Sequence, residues 1–401
     1  MKKRIFIAIH YLEIGGAEMS LIGLLQALDY AKYDVDLFVY SHRGELMKFI
    51  PKEVNLLPEV GAYSYIEKPI KDAIRHGHIG VSLGRLLAKI QFRNYAKKHP
   101  LKDRTPLMQY IAENVLTFLP SLNKYGEYDL AISYLTPHHI VLQKVQAKKK
   151  VAWIHTDYSR IGVQIEKELH IWSGYDHIIS ISPDVTKNFL QVFPSLKDKI
   201  VEMENILSSD FVSSRAEESA DIPFTQRSEA VVNLLSVGRY TEAKNFDNVP
   251  DICKRINQKL KAKWFIIGYG NDEELIRKRI EEAGMKENVI LLGKKENPYP
   301  YIKACDIYVQ PSRYEGKAVT VREAQMLCKP VVVAHYATAT SQVQNGVDGV
   351  IVPQDNEGCA AGIIRFIEDK KLQERIVSYL QQHDYGNASE VNKLYSLIKN
   401  G

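Results

Sequence analysis

Short apolar runs of strand length alternate with helical patterns twice over along this chain. The first series has candidate strands at 4–9, 34–40, 129–134, 151–155 and 177–182, and the second at 231–237, 263–268, 288–292, 306–310, 330–334 and 349–352. Such alternation argues for parallel sheets covered by helices, so the chain is read as α/β with two doubly wound Rossmann-like domains. Its 401 residues are ample for two sizeable cores. A polar, strand-poor stretch at 207–223 separates the two series and reads as a linker. The expected organisation is a first domain at 1–206, a linker at 207–230, a second domain at 231–380, and a C-terminal helical segment at 381–401 that packs back on the first domain.

With 25% charged and 45% hydrophobic residues, the composition is that of an ordinary globular protein. Cys253, Cys305, Cys328 and Cys359 lie far apart with no CxxC spacing, which favours buried free thiols over disulfides or metal ligands. No His/Cys/Asp cluster has the ligand spacing of a metal site. The pair Asp34-Val-Asp36 falls inside a strand pattern, where it reads as an edge feature. The apolar run near the start is too short for a secretory signal, and no segment approaches the length of a membrane span. The expected location is the cytoplasm, with a peripheral position on the inner face of the membrane as an option.

Two strand-to-helix junctions in the second series carry chemistry. The first is Glu315-Gly-Lys-Ala-Val-Thr-Val-Arg-Glu323, between a buried-strand pattern and a helix pattern. It should leave Glu315 on a loop and Glu323 in the first helical turn. Backbone N–H groups at a helix N-terminus favour phosphate, and here they would lie between two acceptors suited to sugar hydroxyls, an arrangement that suits a nucleotide sugar. The second junction is Val237-Gly238-Arg239-Tyr-Thr-Glu-Ala-Lys244-Asn245, an apolar strand followed by two cations. A bidentate Arg and a point-charge Lys suit a diphosphate, and ligands of open α/β sheets bind at the carboxyl ends of strands. Alone, each junction is equally readable as structural: a dipole partner in a first turn, or ordinary surface cations.

In this order and separation the two junctions resemble the donor site of the family-4 retaining glycosyltransferases. These have the GT-B fold, two Rossmann-like domains with parallel sheets facing across a cleft. Further segments agree: Gly15-Gly16-Ala17-Glu18 after the first strand, Val151-Ala-Trp-Ile-His155-Thr-Asp157, Ile179-Ser-Ile-Ser182 followed by Met203-Glu-Asn205 as the last strands of the first domain, and Asn345-Gly-Val-Asp-Gly349. The resemblance implies that Arg239 and Lys244 neutralise the donor diphosphate and that Glu315 contacts the transferred sugar. The amides of Gly316, Lys317, Ala318, Val319 and Thr320 would hold its phosphate or hydroxyls, and Glu323 would accept from the ribose. Gly16 would let the backbone approach the phosphates, and Gly268, Gly293 and Lys294 would border the nucleotide. His155 would hydrogen-bond the donor sugar. Glu18 and Asp157 would bind acceptor, or serve as cap and turn residues. Two positions depart from the pattern: Asn245 stands where a glycine is usual, and Lys317 where a small or apolar residue is usual.

The implied activity is retaining transfer of a sugar from a nucleotide-diphosphate donor, expected to be UDP-linked, to a glycan or lipid-linked acceptor in surface polysaccharide synthesis. The implied chemistry needs no metal and no cofactor beyond the nucleotide-sugar co-substrate. The rival reading is a non-catalytic GT-B protein that binds glycan or scaffolds an assembly; an epimerase of the same fold is a third.

Residues 68–104 stand apart. Lys68, Lys71, Arg75, Arg85, Lys89, Arg93, Lys97, Lys98, Lys102 and Arg104 face only Asp72 and Asp103 in this stretch. Ile79, Val81, Leu83, Leu86, Leu87, Ile90, Phe92 and Tyr95 interleave at helical spacing. An acceptor or anionic membrane surface is one reading, and a solvated helix packed on its domain is the other. Nucleic acid is not expected as a partner, since the net charge of +5 is modest and no RNA- or DNA-binding motif is present.

Overall fold

β1 (Lys3–Ile9) is buried along five consecutive residues, Ile5 to Ile9, as a central parallel strand must be when helices cover both of its faces. The computed structural model describes residues 2–99, 103–159, 161–224, 231–315 and 318–399. The chain forms two units, Met1–Leu207 with Asn387–Gly401, and Ser208–Gly386.

In the first unit β1 is joined by β2 (Tyr33–Val39), β3 (Asn55–Leu56), β4 (Tyr128–Ser133), β5 (Ala147–Ile154), β6 (His177–Ser180) and β7 (Ile200–Glu202). Among the described residues they form one parallel sheet in the order β3-β2-β1-β4-β5-β6-β7. Phe6, Phe38, Tyr128, Trp172 and Phe189 belong to its core. The helix Val391–Lys399 belongs to this unit: Leu394 is buried, and Tyr395 stacks on Tyr33 with ring centroids 4.6 Å apart.

The second unit has β8 (Val232–Val237), β9 (Ala262–Ile267), β10 (Val289–Gly293), β11 (Ile307–Gln310), β12 (Val331–Ala334) and β13 (Val350–Val352). Among the described residues their order is β10-β9-β8-β11-β12-β13, again all parallel. Within 207–230, the helix Ser209–Ala216 is capped by the Ser208 hydroxyl, which accepts from the Phe211 amide at 3.2 Å. It buries Phe211, Val212 and Arg215 in this unit.

Four expectations need correction. β3 and β7, of two and three residues, escape a pattern search because so few positions are paired. Residues 203–205 lie beyond β7 rather than in a strand, with one further rung from the Met203 amide to the Ser180 carbonyl at 2.9 Å. Asp36 is not an edge feature: β2 lies inside the sheet, and the buried carboxylate accepts from Tyr128 Oη at 2.6 Å, Asn55 Nδ2 at 2.7 Å and Arg4 Nη2 at 2.9 Å. Four strands are thereby tied to one charge. Finally, Arg85 does not belong to a solvated cationic face. It is buried in the helix Ile79–Lys98, and its guanidinium donates to the carbonyls of Tyr65 and Lys68.

Candidate functional site

The strand order of the second sheet reverses between β8 and β11, so the chain leaving β8 and the chain leaving β11 diverge to opposite sides at their carboxyl ends. Both junctions singled out in the sequence lie there. Pro311 has no N–H to continue the ladder, β11 stops at Gln310, and the loop that follows carries Glu315. After β8 the loop carries Arg239, which is exposed, and then a short turn at Glu242–Lys244.

Across this divide Lys244 Nζ donates to Glu315 Oε1 at 2.6 Å, with the two side chains 19% and 10% exposed. The same Oε1 accepts from Ser312 Oγ at 2.6 Å and Gln310 Nε2 at 3.0 Å. Gln310 is itself held, its Oε1 accepting from Tyr308 Oη at 2.8 Å and Thr320 Oγ1 at 3.3 Å. Gln310, Ser312 and Tyr308 are fully buried. A buried polar cluster of this kind is stable only when its members satisfy one another. Lys244 spends one of its three donors on Glu315, which leaves the ammonium able to bind an anion at the same time.

The Lys244 loop is fixed from behind. Arg313 makes a two-pronged ion pair with Asp247, at 2.9 and 2.7 Å, and its amide donates to the Ala243 carbonyl at 2.8 Å. Asn245 has φ +61°, a conformation that Asn tolerates better than other non-glycine residues, so its replacement of the usual glycine costs little. Its side chain donates to the Pro311 carbonyl at 2.9 Å.

Glycines shape the rest of this edge. Amide-to-carbonyl bonds link Gly238 to Ile267 at 3.0 Å, Tyr240 to Tyr269 at 2.8 Å and Gly268 to Gly293 at 3.0 Å, zipping the ends of β8, β9 and β10 together. A Cβ on Gly268 would meet the Gly238 carbonyl oxygen at 1.9 Å, so that position must be glycine. Gly293 turns the chain at φ +69°, and the exposed Lys294 Nζ lies 5.6 Å from the Tyr269 ring centre.

The helix following Glu315 runs over Val319–Met326 with Ala318 as its cap residue. Glu323 is therefore in the second turn rather than the first, and it is buried, its Oε1 accepting from Tyr299 Oη at 2.8 Å. Burial pushes its carboxyl up to about 7. Ala318 is buried, while Val319 and Thr320 are half-buried at the helix start. Gly316 and Lys317 lie outside the described residues.

His155, Gly16, Glu18 and Asp157 belong to the first unit. His155 follows β5, and its ring packs at 4.7 Å from that of Tyr134. Both ring nitrogens are shielded from water and lack a hydrogen-bond partner among the described residues, and burial lowers the pKa to about 3, so the imidazole is neutral at pH 7. Tyr134 Oη also meets Ser20 Oγ at 2.9 Å, which brings the helix Gly16–Ala27 to the same tyrosine. Gly16 opens that helix, and a Cβ there would meet nothing within 4 Å; Glu18 is in its first turn. Asp157 accepts from the Ser159 amide at 2.9 Å, Ser159 Oγ at 2.7 Å and Asn188 Nδ2 at 2.9 Å.

The sequence pattern assigns no role to Gln310, Ser312, Arg313, Asp247 or Tyr299. The usable signal was Gln310 and Ser312, polar residues continuing an otherwise apolar buried run. Among the described residues, no group of three or more His, Cys, Asp or Glu side chains is placed to hold a metal ion.

Residues 220–383, which contain this arrangement, match the family model for glycosyl transferases group 1. An uncharacterized glycosyltransferase of Methanocaldococcus jannaschii is 27% identical over 188 residues, 46% of each chain. The N-acetylgalactosamine-N,N'-diacetylbacillosaminyl-diphospho-undecaprenol 4-alpha-N-acetylgalactosaminyltransferase of Campylobacter jejuni is 30% identical over 142 residues, 35% of this chain and 38% of that one. The matches thus span less than half the length of these two relatives. In fold, a Staphylococcus aureus TarM variant crystallised with Fondaparinux, alpha-GlcNAc-glycerol and UDP aligns over 99% of both chains, with a TM-score of 0.66 and 14% identity.

Proposed function

We propose that this chain, whose residues 220–383 match the family model for glycosyl transferases group 1, is a retaining glycosyltransferase using a UDP-linked sugar. The observation that carries the reading is the Lys244–Glu315 pair, 2.6 Å apart at the strand-order reversal of the second sheet. The acceptor is a glycan or a lipid-linked sugar of surface polysaccharide synthesis. Two likenesses support this: UDP is bound in the TarM structure, and the Campylobacter relative is named for a diphospho-undecaprenol-linked sugar.

In this mechanism Arg239 and Lys244 hold the diphosphate and stabilise the charge that develops on it as the bond from the anomeric carbon to phosphate oxygen breaks. Charge already in place at a developing anion is usually the largest catalytic contribution. The departing phosphate oxygen takes the proton of the acceptor hydroxyl, and the acceptor oxygen bonds to the anomeric carbon on the face the phosphate leaves. The configuration is kept, and neither a second carboxylate base nor a metal ion is needed. Glu315, anchored through Oε1, orients the sugar, and the amides around Ala318, Val319 and Thr320 approach its phosphate. Glu323 meets the ribose. His155, neutral at pH 7, suits a hydrogen bond to a sugar hydroxyl rather than attack.

The test is nucleotide release from a panel of nucleotide sugars in the presence of EDTA. UDP release from one UDP-linked donor, undiminished by the chelator, is expected. Loss of activity on chelation with recovery on adding magnesium or manganese, or consumption of no nucleotide sugar at all, would overturn the reading.

A further inference from the structure

The helix Ile79–Lys98 packs on its unit with the wrong residues for an ordinary amphipathic helix. Its buried positions are Val81, Ser82, Gly84, Arg85 and Ala88, small or polar apart from the valine. Gly84 fits because a Cβ there would come within 2.6 Å of the Asn114 carbonyl oxygen in the neighbouring helix. Phe92 and Tyr95 are half-buried against the core, but the other large apolar side chains point outward: Ile79, Leu83, Leu86, Leu87 and Ile90 are between 42% and 66% exposed. Their spacing of four, three, one and three residues makes a single stripe along the helix. Phe118, 42% exposed and beside Gly80, widens it. Single exposed leucines are ordinary on a protein surface, whereas a contiguous stripe marks an interaction face.

The charge of the helix says what covers the stripe. Residues 79–98 contain no Asp or Glu. Lys89, Arg93, Lys97 and Lys98 are exposed, and none has an ion-pair partner among the described residues. We infer that this helix lies flat on an anionic lipid bilayer, with the stripe in the acyl boundary and these four cations among the head groups. A second copy of the chain would set cations against cations without a carboxylate on this helix to answer them. Among the described residues no helix is long and apolar enough to cross a membrane, so the contact is in the plane of the surface. The inference concerns where the protein acts and does not rest on the donor reading, so each can fail alone.

Flotation with phosphatidylglycerol–phosphatidylcholine vesicles, and with phosphatidylcholine alone, tests it. The wild-type chain should float with the anionic vesicles, release as salt rises, and stay behind with phosphatidylcholine. Neutralising Lys89→Gln, Arg93→Gln and Lys97→Gln together should weaken binding by about a hundredfold. Replacing Leu83, Leu87 and Ile90 by serine should weaken it about tenfold or more, with both variants keeping the wild-type melting temperature. Failure of the wild type to float, equal binding to both vesicle types, or unchanged binding in either folded variant would overturn the inference. So would a wild-type dimer in light scattering that the serine variant converts to monomer while vesicle binding persists.

Discussion

Glu315 illustrates how much of a site is through-space bonding that a linear pattern does not display. The sequence singled out Lys244 and Glu315 as separate charges, 71 positions apart. Their 2.6 Å contact exists because β8 and β11 are neighbours at the point of reversal, a property of strand order rather than of either motif. The other two neighbours that hold Glu315, Gln310 and Ser312, are neutral, and neutral groups in an apolar run look like core. Ser312 is the sharper of these to test, because its hydroxyl donates to the carboxylate at 2.6 Å and is fully buried. One hydrogen bond to a charged acceptor is worth roughly 1.5–3 kcal/mol. Ser312→Ala should therefore lower kcat about tenfold or more, and Ser312→Thr, which keeps the hydroxyl, should restore most of the rate. Equal rates in Ser312→Ala and the wild type would mean that Glu315 needs no such anchor.

Among the elements, the longer strands were legible and the short edge strands were not. A five-residue buried run such as Ile5–Ile9 announces a central parallel strand, whereas β3 pairs through two residues and leaves no periodicity to read. The helix Ile79–Lys98 was legible as a helix but its buried side was not. Pattern reading turns the large apolar residues inward, and here Gly84 and Ala88 allow a close approach that larger side chains would prevent. The helix Ile165–Ser173 hides a carboxylate in the same way: Glu168 is buried, and burial pushes its pKa up to about 7. An unfolded glutamate titrates near 4.3, so between about 4.3 and 7 the folded chain holds a proton that the unfolded chain releases. Stability is thus greatest below that window and falls as pH rises through it, by roughly 4 kcal/mol at most for one such group. Glu323 acts in the same direction. Buried His155 and His139, lowered to about 3 and about 4, act in the opposite sense, since the unfolded chain protonates them first as pH falls below about 6.5. The Glu168 contribution is therefore read as a difference: the melting temperature of Glu168→Gln relative to the wild type should rise from pH 5 to pH 8, and a difference that stays constant across this range would contradict it.

For the molecule as a whole, alternation of strands and helices was enough to read two parallel-sheet units, because crossover connections leave few other arrangements for such a pattern. The sheets confirm it, and the family match lies on the second unit, where the two chemical junctions converge. What the alternation could not convey is which loops meet, and the proposed chemistry depends on that meeting. Lys244 is where fold, charge and mechanism coincide: it lies at the reversal, it is bonded to Glu315, and it is assigned to the departing diphosphate. The most direct measurement is UDP release by Lys244→Ala against the wild type under saturating donor, with melting temperatures compared in parallel. Loss of one charge-assisted contact to a developing anion costs roughly 3 kcal/mol, so turnover should fall about a hundredfold while the fold survives. A folded Lys244→Ala protein that releases UDP at close to the wild-type rate would contradict the assignment of this site.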